Sequence, residues 1–324
     1  MPFATIDIGT NTAQLLVVEH NGDALRRLHA AERFVRLGEG VDANGEIGTD
    51  AQDRLLATLQ EHKQVAHDHG ADRIVVAGTS ALRDATNRKA VLERVQRKLD
   101  LTIEILSGND EAAWSFAAAC SAFDDLTGPC LVVDVGGGST ELVAGRNPAA
   151  HHPTYPAAIT DRASLDIGCV RLTERCFDGH PPSPDAITDA TTLIDDALAG
   201  APLDVSPTPT VIGTAGTATA LARVHLGPNS TWNALHGDGF TLTHADVRHW
   251  RDQLLSLTVD EILALHPDAM AGRADVFTVG VILLDRILCH YDRATFRVSP
   301  YELRHGLALR ILARTTPPSP TVSS

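Results

Sequence analysis

The chain has 324 residues, 44% hydrophobic and 21% charged, with five cysteines and a formal net charge of −14. This is the composition of a soluble globular protein with room for two domains, and the acidic balance excludes non-specific nucleic-acid binding, which needs a basic surface. No apolar run reaches membrane-spanning length, Asp7 interrupts the first apolar run where a secretion signal would be continuous, and Cys120, Cys130, Cys169, Cys176 and Cys289 show no CxxC spacing. The expectation is therefore buried thiols in a reducing cytoplasm, with no membrane and no nucleic acid as partner.

In chain order, residues 3–9 (FATIDIG) and 14–20 (QLLVVEH) form two strands joined by the turn GTNTA. Residues 50–69 carry leucines, Val65 and Ala66 at helical spacing, and 73–85 is a short buried strand, a Gly-Thr-Ser loop and a helix start. Residues 87–99 are an amphipathic helix, and 102–123 repeat the strand, loop and helix plan, with Ser107 to Asp110 as N-cap chemistry. After Gly128-Pro129, DVGGGSTELVAG restates DIGTNTAQLLVVE, about 127 residues on, which fits an internal duplication and two α/β lobes around a cleft. Residues 146–162 read as a polar loop, 184–199 as a helix, 210–224 as strand, loop and helix, and 244–265 and 272–290 as helices. ATFRVSPYELRHGLALRIL closes as strand, loop and helix, ahead of a disordered tail.

Four strands run into a loop of glycine and hydroxyls: Gly9–Thr12, Gly78–Ser80, Gly136–Thr140 and Gly213–Thr217. Such loops present several N–H donors to one anion, and four of them point to phosphate. Asp7 sits at the first, and Asp134 and Glu141 flank the third, a hard-oxygen set suited to Mg²⁺ beside phosphate. Asp110 and Glu111 both start a helix, where either complements the dipole, and the spacing does not choose between them. Arg83, Arg88, Arg171, Arg273 and Arg304 offer a local basic track for an anion on an acidic protein. His151, His152 and His236 show no ligand spacing and read as loop residues.

These motifs resemble the exopolyphosphatase/guanosine pentaphosphate phosphatase family of the actin-like superfamily that also holds sugar kinases and Hsp70 ATPases. DIGTNTAQLLV, GTSALRDATN, SGNDEAA, LVVDVGGGSTELV, LDIGCVRLTE, IGTAGTATALA and VSPYELRHG occur in order from Asp7 to about residue 313. The resemblance implies two actin-like, ribonuclease H-like lobes, residues 1–125 and 126–301, with a helix at 302–314 packing back on the first and a disordered tail at 315–324. It implies Glu111, rather than Asp110, as the base that activates water, and Asp134 and Glu141, with Asp7, as the seat of Mg²⁺ (or Mn²⁺). Asn11, Thr12, Ser80, Arg83, Gly137, Gly138 and Ser139 fall where the family holds phosphates, and Arg273 joins them from the basic track.

The implied activity is hydrolysis of the terminal phosphate of inorganic polyphosphate. Its alternatives are the 5′-phosphohydrolase reaction on guanosine pentaphosphate, or a non-catalytic alarmone sensor, against which the intact Glu111, Asp134 and Glu141 count. A sugar-kinase-like phosphotransferase would need an adenine site and an acceptor pocket that the sequence does not display. A homodimer is common in the family. Where the family writes DIGSNS, a Glu before Glu111's counterpart and LREG, this chain has DIGTNT, Asp110 and LRHG, the last with His305. The additional helical domain of long members has no counterpart here, so a preference for shorter polyphosphate is expected.

Overall fold

The computed structural model describes residues 1–21, 24–147, 159–205, 209–235 and 239–315. The first lobe runs β1 (Pro2–Ile8), β2 (Thr12–Asn21), β3 (Ala24–Phe34), α1 (Val41–Asn44), α2 (Thr49–Asp68), β4 (Arg73–Gly78), α3 (Ser80–Asp84), α4 (Arg88–Leu99), β5 (Ile103–Ile105) and α5 (Gly108–Ser121). The second runs β6 (Pro129–Val135), β7 (Thr140–Arg146), β8 (Ile159–Leu165), α6 (Cys169–Cys176), α7 (Pro184–Gly200), β9 (Thr210–Thr214), α8 (Ala215–Leu226), a short 3₁₀ turn and β10 (Phe240–Thr243). It continues with α9 (His244–Leu254), α10 (Val259–Leu265), α11 (Pro267–Met270), α12 (Ala274–His290) and β11 (Thr295–Val298), and α13 (Leu303–Thr315) follows.

Among the described residues the first sheet has the order β3-β2-β1-β4-β5, and the second β10-β11-β9-β6-β7-β8. In each, an antiparallel triplet (β1–β3, β6–β8) is extended by parallel strands, β4 and β5 in one and β9 and β11 in the other. Read from the edge strands β3 and β8, both lobes have the 3-2-1-4-5 arrangement of actin-like, ribonuclease H-like domains, with β10 added at the far edge of the second. The mixed pattern follows from the connections: tight turns can join only antiparallel neighbours, and parallel strands need a helical crossover.

Three strands escaped the sequence reading. The opening is a three-stranded unit, because ALRRLHAAERF is itself strand β3. Residues 159–162, expected within a polar loop, begin β8, and Phe240–Thr243 forms β10. All three are edge or next-to-edge segments carrying charged or hydroxyl side chains, so none shows an apolar run. The helix expected over 244–265 is two, each opened by a capping box, at Thr243 and Thr258.

Two helices exchange sides. Helix α5 follows the first sheet in sequence, yet Ala112, Phe116, Ala119 and Cys120 pack on Cys130, Val132, Val143 and Ile212 of the second. Helix α13 is the last described element, following the second lobe, yet Ala308 and Ile311 pack on Phe3, Leu16 and Val18 of the first, and Leu303 and Leu307 meet Trp114 of α5. The lobes are therefore cross-braced, and the N-terminus of α5 lies between them. Cys120, Cys130 and Cys169 are buried as expected, whereas Cys176 is half-buried and Cys289, at the end of α12, is exposed. No helix among the described residues is long and apolar enough to cross a membrane. His151, His152, His236 and the tail from 316 lie outside the described residues.

Candidate active site

The duplicated hairpins set their polar residues in matching register. Asp7 stands opposite Gln14 across β1 and β2, and Asp134 opposite Glu141 across β6 and β7, so each pair shares one face of its sheet. Asp7, Glu111 and Asp134 converge on a cleft of about 110 Å³ between the lobes. Asn11, Thr12, Ser80, Gly137 and Ser139 line it as well, together with the N-terminus of α8.

Gly138 does not line the cleft but faces the other lobe. A Cβ there would come within 2.4 Å of Ser80 Oγ and 2.7 Å of Thr10 Oγ1, so the missing side chain lets the two loops touch. Glu141 sits behind Asp134, 1% exposed, and accepts a 2.8 Å hydrogen bond from Ser164 Oγ.

The first turn of α5 separates its two acids. Ser107 caps the helix by accepting from the Asp110 backbone N–H at 3.1 Å, and its hydroxyl donates to Asp110 Oδ2 at 2.7 Å. Asp110 is thereby held at the exposed cap, while Glu111, one position on, turns into the cleft and is buried. Glu111 Oε2 accepts from Arg83 at 2.9 Å, and Arg83 also donates to the Leu106 carbonyl at 3.1 Å.

Burial dominates the electrostatics. It raises Glu111 to about 7 against the pull of Arg83, with Asp134 and Asp84 adding to the rise. Asp134 is raised to about 6, again by burial first, with Glu302 adding to it. Asp7 and Glu141 are pushed up by burial and then by neighbouring acids, Glu111 first in each case. Burial also lifts the Cys169 thiol to about 11, so this cleft cysteine is no thiolate nucleophile at neutral pH.

The five arginines of the sequence track divide. Among the described residues lining the cleft, Arg273 is the only cation, and it bonds Glu32 of β3. Arg171 instead straps the lobes together, donating to the Gly138 carbonyl at 2.8 Å, to Asp42 at 3.0 Å and to Asp84. Arg88 donates to the Arg83 carbonyl at 2.6 Å on the surface. Arg304 is buried under the first sheet, where it bonds Glu302 at 3.2 Å and the carbonyls of Leu15 and Ala31. His305 accepts from the Glu302 N–H at 3.2 Å and stacks on Tyr301 at 4.5 Å.

Gln14, Glu32 and Glu302 also line the cleft and were not singled out from the sequence. Gln14 was findable, since it lies 127 residues before Glu141, the offset that separates Asp7 from Asp134. Glu32 belongs to a strand that the apolar pattern did not reveal.

The donor set suits a hard divalent cation. Asp7 Oδ1 is a buried acceptor without a hydrogen-bond partner, and the acids around it repel one another, which a cation would relieve. Among the described residues no three His, Cys, Asp or Glu side chains form a ready-made cage.

A model of the Ppx/GppA phosphatase family matches residues 16–315. The chain is 31% identical over 325 aligned positions to exopolyphosphatase 2 of Mycobacterium tuberculosis, an alignment covering 95% of this chain and 98% of that protein. It is 29% identical to the guanosine-5′-triphosphate,3′-diphosphate pyrophosphatase of Vibrio atlanticus, over 96% of this chain but 59% of that one. The crystal structure of an exopolyphosphatase-like protein superposes with a TM-score of 0.87 at 29% identity, covering 98% of this chain and 100% of that one. With the family match spanning nearly the whole chain and the paired hairpins, glycine loop and buried Glu111 in place, this chain belongs to the Ppx/GppA phosphatase family.

Proposed function

We propose that the chain is an exopolyphosphatase that releases the terminal phosphate of inorganic polyphosphate with Mg²⁺. The observation that carries this reading is Glu111, a buried carboxylate at the start of α5 that lines a cleft shared with the phosphate-type loops. Its raised proton affinity suits a general base near neutral pH, an effect that contributes about 10²–10⁴-fold to rate. Arg83 fixes the carboxylate that takes the proton from water. The backbone N–H groups of the Gly136–Ser139 loop and of the α8 N-terminus hold the terminal phosphoryl group, with Asn11, Thr12 and Ser80 on the opposite wall. Positioning and charge stabilisation supply most of the catalysis in such transfers.

Asp134 and Glu141, with Asp7, would hold Mg²⁺, which supplies charge neutralisation at the phosphoryl oxygens when bound. The second reading is hydrolysis of guanosine pentaphosphate, favoured by the Vibrio relative. The polyphosphate reading stands first because the Mycobacterium relative is matched over 98% of its length and the Vibrio one over 59%.

Phosphate release from polyphosphate, guanosine pentaphosphate and ATP, each with Mg²⁺ and with EDTA, tests it. Release from polyphosphate exceeding the other two, and dependent on Mg²⁺, is expected. Faster release from guanosine pentaphosphate would establish the second reading, and release from ATP alone would refute both.

A further inference from the structure

Five carboxylates, Asp7, Glu32, Glu111, Asp134 and Glu302, and one guanidinium, Arg273, line the cleft among the described residues. The mechanism above uses three of the acids. Glu32 has no task in it, yet it takes the one cation that faces an incoming anion.

The arrangement around that pair is built rather than incidental. Arg273 reaches from the second lobe over the Phe34 ring, 5.2 Å from its centroid, to Glu32 Oε1 of the first. It passes so close to Gly216 that a Cβ there would stand 2.3 Å from Nη1, which puts the guanidinium at the N-terminus of α8. That helix has no side-chain cap at Thr214, so its first N–H groups and Arg273 address the same point. Ala215 opens it with φ +62, a conformation that non-glycine residues adopt at a cost.

Glu32 is braced from the other side. Gln14 Nε2 donates to Glu32 Oε2 at 2.9 Å and to Glu302 Oε2 at 2.8 Å, and Glu302 is paired with Arg304. Burial opposes its charge, but Arg273, Arg304 and Gln14 outweigh it and keep Glu32 ionised. A buried charged pair in this position is costly to break and is poor evidence for stability alone.

We propose that Glu32 is an affinity-determining residue, an internal carboxylate that engages Arg273 until a phosphoryl oxygen of the substrate displaces it. A ligand that contacts Arg273 therefore exchanges one anion for another instead of meeting a free cation. Such an exchange weakens the hold on released orthophosphate, which has no further phosphates to bind elsewhere. This inference rests on the cleft being a phosphate site.

Calorimetric titration of inorganic orthophosphate into the full chain tests it, with Glu32→Gln, Glu32→Asp, Arg273→Gln and the Glu32→Gln/Arg273→Gln pair. Freeing one charge-assisted contact is expected to tighten orthophosphate binding by roughly tenfold in Glu32→Gln. Glu32→Asp, which keeps the charge but withdraws it from Arg273, should also bind more tightly, and it carries the test if the glutamine variant does not fold. The paired variant should bind no better than Arg273→Gln. Unchanged or weaker binding in both Glu32 variants overturns the inference, as does a gain that survives the loss of Arg273. No binding by any form overturns the phosphate reading of the cleft itself.

Discussion

Asp110 and Glu111 are adjacent acids in one helical turn, and the fold gives them opposite surroundings. The difference was not legible from spacing, because both complement the dipole; it comes from Ser107, which ties Asp110 to the cap and leaves the next side chain to face inward. The glycines of the third loop were read as letting backbone approach a phosphate, and a Cβ at Gly137 or Gly138 would also run into Thr10 or Ser80 of the opposite lobe. The Arg83–Glu111 contact has a measurable consequence. If the ionised carboxylate is the base, as proposed, kcat/KM should rise with pH through the region near 7 where Glu111 loses its proton. Arg83 favours the ionised form, so Arg83→Gln should move that acid limb to higher pH. A pH–rate profile checks this, and an unmoved or lowered limb would show that Arg83 does not tune the base.

At the scale of elements, the helices and central strands were legible because their burial is periodic, while β3, β8 and β10 were not, being polar segments at or near a sheet edge. The packing of α5 was also hidden: sequence order assigns it to the first lobe, and only the three-dimensional core shows it seated on β6, β7 and β9. Phe116 is the largest side chain that α5 places in that seat and is 2% exposed. Phe116→Ala should cost about 3–5 kcal/mol of stability through the lost burial and the cavity left behind. Denaturant unfolding measures the loss, and a cost below about 1 kcal/mol would mean that α5 is not anchored there. The same variant should lower turnover, because the helix that loosens is the one that carries Glu111.

At the scale of the whole molecule, the net charge of −14 made a local basic track the expectation for any anionic ligand, yet among the described residues lining the cleft Arg273 is the only cation beside five carboxylates. Asp134 and Glu111 bind protons more tightly in the fold than in the unfolded chain, at about 6 and about 7. Their folded pKa values are raised, so the stability they contribute is present at low pH and is lost as pH rises through those values. In EDTA the melting temperature should therefore fall between pH 5 and pH 8, apart from other groups that titrate there. Mg²⁺ should offset the fall at pH 8, by about 2.7 kcal/mol at a hundredfold excess over Kd. Thermal melts across this range decide it, and a melting temperature at pH 8 indifferent to Mg²⁺ would remove the cation seat. The most direct test of the central claim is the substitution Glu111→Gln, followed by phosphate release from polyphosphate and calorimetric binding of the same substrate. Turnover should fall by about 10²–10⁴-fold while affinity stays within a few-fold of the parent; a variant that still releases phosphate at the parent rate would contradict Glu111 as the base.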